Sequence, residues 1–195
     1  MQTATVAYPS SDLARFGREL EAVHRDAAEL LDGLSDAQLA WRPEAGGWSL
    51  GEVACHLRTL NARYLEAIDQ SITEARTRGH TGFGGYKPGL LGGFMVKMME
   101  PPVKRRLKTP AVFRPTEHAH DWRAEVDGYL ATHGGLEERL HRAGGISLAR
   151  ARVASPASRL LRLTLGDAFA LILAHERRHL TQIRALRDDP AFPRA

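Results

Sequence analysis

The chain reads as an all-α protein, a four-helix bundle with long crossover connections. Three observations predict it. Apolar side chains recur at three- and four-residue intervals over four long stretches, little alternates as a strand would, and two long irregular connections separate the periodic stretches. Helices of roughly 20–27 residues span about 30–40 Å, the dimension of such a bundle, and crossovers within it require long connections.

The first helix is expected from about Asp12 to Leu31. Ser10 or Ser11 caps it, and Leu13, Phe16, Leu20, Val23, Ala27 and Leu30 or Leu31 form its buried stripe. Gly33 ends it. His24 lies beside Val23 and, with no paired partner in its own helix, reads as structural. Ser35-Asp-Ala-Gln38 has the spacing of a capping box for one short helical turn. In the connection that follows, Trp41 and Trp48 are expected to plug one end of the core.

Ser49-Leu-Gly-Glu52 is a second capping box. It opens a helix in which Val53, His56, Leu57, Leu60, Tyr64, Ala67 and Ile68 repeat at helical spacing as far as about Arg76. His56 sits on the inward stripe. Cys55 is turned about 100° from it and reads as a packed thiol rather than a ligand.

Residues 79–115 are the least regular, rich in Gly and Pro, with an apolar patch from Leu90 to Met99 and a basic cluster at Lys104-Arg-Arg-Leu-Lys108. Three roles compete for them: a crossover whose apolar residues, as a short helix, cover one end of a pocket; a dimer contact; and a membrane-surface or polyanion contact. The first is favoured, because a handful of charges is little for the last. A third helix is expected from about Thr116 to Arg142. Trp122, Val126, Tyr129 or Leu130, Leu136 and Leu140 face inward, with Gly134-Gly135 as a place to kink or divide. His118, His120, His133 and His141 are expected at its surface. Gly144-Gly145 stops it. The connection through Pro156 to Thr164 carries Arg150, Arg152, Arg159 and Arg162, and Gly166 or Asp167 opens the last helix.

That last helix carries the chemistry. Leu171-Ile-Leu-Ala-His175-Glu-Arg-Arg-His179-Leu-Thr-Gln-Ile183 has no Gly or Pro between Asp167 and Asp189, and its two histidines are four residues apart. At about 100° per residue the two imidazoles differ by roughly 40° in direction and about 6 Å in height, so both nitrogens can meet one ion. One such pair is equally consistent with satisfied core histidines. A third donor decides between these readings, and His56, inward on a facing helix, supplies it. Three neutral imidazoles suit a divalent transition metal and leave it an open position, the pattern of a catalytic rather than a closed structural site. Water or an added thiol there becomes more acidic, and a substrate carbonyl can be polarised.

Composition narrows the alternatives. With 43% hydrophobic side chains over 195 residues the chain can bury one sizeable core, so residues 1–195 are expected to form a single domain. Its one cysteine excludes an internal disulfide framework, and Met1 is followed by polar residues rather than a secretory pattern, so a cytoplasmic location is expected. No apolar run reaches the ~20 residues that span a bilayer. A net charge of +4, with arginines scattered among glutamates, gives no basis for nucleic-acid binding.

The string Gly47-Trp48-Ser49-Leu50-Gly51-Glu52-Val53-Ala54-Cys55-His56-Leu57 resembles the start of the second helix in the DinB superfamily, which includes DinB-like and YfiT-like metal-dependent hydrolases. His175-Glu-Arg-Arg-His179-Leu-Thr-Gln182-Ile183 resembles its closing helix. The Leu39-Ala-Trp41-Arg-Pro43 connection and the order of helices also match, so the resemblance covers essentially the whole chain. It implies a bundle with a crossover, commonly dimeric, in which His56, His175 and His179 hold a divalent ion, often nickel or zinc. It further implies a small-molecule substrate. Hydrolysis is one expected reaction; another is chemistry of a low-molecular-weight thiol, as in relatives that transfer mycothiol or bacillithiol or isomerise maleylpyruvate. A binding bundle without catalysis is the alternative.

His175-Glu176-Arg-Arg-His179 is also literally H-E-x-x-H, the zinc protease pattern in which the glutamate is a general base. The sixteen residues after His179 contain neither His nor Glu to complete such a site. Glu176 points about 100° from His175 and is as well placed to pair with an arginine on a neighbouring helix as to reach a water at the site. No catalytic role is assigned to it.

Overall fold

The structure, a computed structural model, describes residues 7–82, 85–102, 108–115, 121–158 and 160–194. Its elements in order are α1 (Ser11–Leu31), α2 (Asp36–Ala40), α3 (Leu50–Thr77), α4 (Leu90–Met99), a single 3-10 turn (Ala111–Phe113), α5 (Trp122–Arg142), the strands β1 (Arg152–Ala154) and β2 (Arg162–Thr164), and α6 (Leu165–Arg187). The expected start of the third helix at Thr116, together with His118, His120, Arg159 and residues 104–107 of the basic cluster, lies outside the described residues.

Helix starts follow side-chain chemistry. Ser10 accepts from the Leu13 amide to cap α1, and both capping boxes form: Ser35 with Gln38 on α2, and Ser49 with Glu52 on α3. The second box is buried. Ser49 Oγ accepts from Glu52 N at 3.2 Å and Glu52 Oε2 accepts from Ser49 N at 2.8 Å, which fixes where α3 begins and therefore which residues face inward. After α1, Gly33 takes a φ of 65°, a left-handed turn that sends the chain into α2.

The long helices α1, α3, α5 and α6 form the bundle. Each of α1 and α3 packs on both α5 and α6, so α1 and α3 sit diagonally across it, as do α5 and α6. Consecutive long helices are thus not always neighbours, and the crossovers are needed. The core is apolar and continuous, from Phe16 and Leu31 of α1 through Leu57 and Ile68 of α3 and Tyr129 of α5 to Ile172 and Ile183 of α6. α4 lies along α6, with Met95, Val96 and Met99 against the core and Leu90, Leu91 and Phe94 exposed. No described helix is long and apolar enough to cross a membrane.

Three expectations need correction. α5 runs through Gly134-Gly135 without a break, because its apolar face is held by α1 and α3 on both sides of the pair. His133 is not at the surface but 3% exposed, in the bundle interior; His141, half-buried, stacks on the Tyr8 ring. The connection before α6 is not wholly irregular either. Arg152–Ala154 and Arg162–Thr164 pair antiparallel, with Val153 opposite Leu163 and both buried, and Thr164 then caps α6.

Candidate metal centre

α3 and α6 are neighbours in the bundle, and their inward stripes place His56 opposite His175 and His179. Each ring offers one donor atom to a set whose members all lie within 4.8 Å of one another. Ring centroids are 5.1 Å apart for His56 and His175, 4.8 Å for His56 and His179, and 4.5 Å for His175 and His179. Among the described residues no other group of three or more His, Cys, Asp or Glu side chains is placed to hold an ion.

The rings are oriented by their outer nitrogens. His56 Nδ1 is 2.7 Å from the Phe113 carbonyl, which can only accept, so the proton sits at Nδ1 and the Nε2 lone pair faces the cluster. His179 Nδ1 meets Gln182 Oε1 at 2.9 Å with the same consequence. Such acceptors behind ligating histidines set the tautomer and raise donor strength. His175 Nδ1 is buried with no hydrogen-bond partner among the described residues, while its Nε2 is 3.3 Å from His56 Nε2. Two nitrogens each about 2.0–2.1 Å from a tetrahedral zinc are themselves about 3.3 Å apart, so His56 and His175 stand at ligand spacing, and the third donor lies within 4.8 Å of both.

Electrostatics keep the rings in the form a metal needs. Burial lowers the His56 pKa, opposed by the hydrogen bond to Phe113 and by the charge of Glu176. Burial pushes His175 well below the ordinary imidazole value, and His179, His56 and Arg178 add to the effect. His179 falls to about 3, mostly through burial and then through His56, with the Gln182 bond acting the other way. Neutral imidazoles, the form that ligates a metal, result.

A model of the DinB superfamily matches residues 19–183 of the chain. The chain belongs to the DinB superfamily. YfiT from Bacillus subtilis, described as a probable metal-dependent hydrolase with an unusual four-helix bundle topology, is similar to this DinB protein in structure. The TM-score is 0.57 at 16% identity, with 95% of this chain and 91% of that chain covered. At that identity the likeness establishes the bundle fold. None of the curated proteins compared with the chain matches it.

Around the three histidines of this DinB protein, sequence reasoning missed three contributions. Trp48 does not simply plug the core. Its ring lies 4.9 Å from His56 and 6.3 Å from His179, nearly parallel to the latter, and forms a wall of the site. Trp41, by contrast, packs on Phe192 as an anchor. Phe113 holds His56 through a backbone carbonyl, a group common to every residue, so no residue type could signal it. Gln182 stands three residues after His179, a spacing at which side chains meet, and was legible in principle. Glu176 pairs with no arginine among the described residues and lies outside the cluster: it is fully buried and bonded to Asn61 and Tyr129.

Proposed function

We propose that this DinB protein is a metal-dependent catalyst of hydrolytic type, with His56, His175 and His179 holding a divalent ion, zinc or nickel, that keeps a position open to a small-molecule substrate. The convergence of three neutral imidazoles, two of them oriented by outer acceptors, carries this reading. When bound, the ion supplies Lewis acidity, which acidifies a water or thiol and polarises a carbonyl. The chain's own residues do the positioning. The Phe113 carbonyl and Gln182 hold protons at Nδ1 of His56 and His179, and the indole of Trp48 limits access of water to one side. The description of YfiT as a probable metal-dependent hydrolase supports the same class.

A low-molecular-weight thiol is the second nucleophile this site would take. Cys55 is buried and outside the cluster, so the thiol comes from solution, and Cys55→Ala leaves such activity intact. The test is turnover of small activated esters, lactones and amides by untagged protein, metal-free and reconstituted with Zn²⁺ or Ni²⁺. Activity that appears with metal and is absent in His56→Ala supports the proposal. Equal turnover with and without metal contradicts it.

A further inference from the structure

Glu176 stands between the two ligand-bearing residues of α6, and its carboxylate is 0% exposed. The groups around it are donors. Asn61 Nδ2 of α3 donates to Oε1 at 2.7 Å, and the Tyr129 hydroxyl of α5 donates to Oε2. His133 Nε2, also of α5, lies 3.7 Å from Oε1, and the other side of that ring meets His24 Nδ1 of α1 at 3.0 Å. The proton arrangement that suits the carboxylate has His24 Nδ1–H donating to His133 Nδ1, which leaves the His133 proton at Nε2, facing Glu176. All four long helices thus contribute to one chain of polar groups that ends on a buried negative charge.

A buried carboxylate is unfavourable unless opposite charge is near; among the described residues no Arg or Lys pairs with this one, and the basic group that faces it is the His133 ring at 3.7 Å. A divalent ion on three neutral imidazoles has the converse difficulty, a buried positive charge with no anion among its ligands. We infer that Glu176 is the counter-charge of the metal centre, a positioning residue that stays off the ion and stabilises it through the low-dielectric core. Glu176 follows His175 directly and precedes His179 by three residues, so the carboxylate and the proposed ligands share one turn of α6. The inference rests on the metal reading proposed above. It also separates this glutamate from the general base of an H-E-x-x-H protease: the donors that hold it come from α3 and α5.

Zn²⁺ affinity of the full-length, metal-free protein, measured by competition with a chromophoric chelator, tests it, with metal-free thermal midpoints recorded alongside. Glu176→Gln, which removes the charge and keeps the shape, is expected to bind Zn²⁺ about 10–100-fold more weakly, the range for groups outside the ligand shell. Glu176→Asp recovers part of that loss, and Tyr129→Phe, which lowers the midpoint but keeps the charge, stays within about threefold of the parent. If Glu176→Gln does not fold, Glu176→Leu combined with Tyr129→Phe removes charge and donor together in an apolar pair, and the same loss is expected. Zn²⁺ bound by a folded charge-free variant as tightly as by the parent overturns the counter-charge and leaves the metal centre standing. A parent chain that binds no Zn²⁺ overturns both.

Discussion

Gly92→Ala separates two effects of opposite sign at one position. Gly92 lies inside α4, where alanine ordinarily stabilises a helix by about 1 kcal/mol over glycine. Its α-carbon rests against α6. An added Cβ would stand 2.2 Å from Asp167 Cγ and 2.4 Å from its Oδ2. Asp167 is itself committed, since its Oδ1 accepts from the Tyr86 hydroxyl at 2.7 Å and from Gly89 N at 3.1 Å. Either α4 moves off α6 or the carboxylate turns and releases those donors. Overpacking of this kind costs about 1–3 kcal/mol, and each hydrogen bond lost adds about 1 kcal/mol. Set against the gain in propensity, the net expectation is destabilisation by about 1–4 kcal/mol. Urea unfolding followed by circular dichroism measures it, with Gly134→Ala as control. Nothing lies within 4 Å of a Cβ at Gly134, so that variant is expected to gain about 0.5–1 kcal/mol. A Gly92→Ala protein as stable as the parent, or more so, would show that α4 is not clasped to α6 in this way.

Ser49→Ala removes the cap of the helix that carries His56, and the urea midpoint is expected to fall by the equivalent of about 1–2 kcal/mol; an unchanged midpoint contradicts the buried capping box. For the metal-free protein, stability is expected to fall as pH drops below about 6.5, where unfolded imidazoles take up protons that folded His175 and His179 resist. Both folded values are depressed, so this contribution is complete above the unfolded value and is lost toward the folded ones, at up to about 1.4 kcal/mol per pH unit for each histidine. A midpoint that is flat between pH 7.5 and 5.5 would refute the neutral, buried rings.

The parts legible in the sequence are those set by local chemistry. Ser49 and Glu52 mark the start of α3 through their own side chains, and that start fixes the register that turns His56 inward. The four-residue spacing of His175 and His179 likewise determines which way both point. What tertiary packing decides was not legible. The pairing of Val153 with Leu163 involves strands of three residues, too short for alternation to stand out. His133 stands four residues after Tyr129 and three before Leu136, on the inward stripe of α5, so its burial was legible in principle; that Glu176 of a diagonal helix and His24 of an adjacent one would face it was not. Gly134-Gly135 weakens helix propensity locally, but packing on both flanks overrides it.

The central claim is that one early and two late histidines hold a single divalent ion. Metal content by elemental analysis, on untagged parent and on His56→Ala after exposure to equal Zn²⁺ and gel filtration, tests it most directly. About one ion per chain in the parent and little in the variant is the predicted result, as the loss of one of three ligands requires. No ion in the parent, or the same ion content in both proteins, would contradict it.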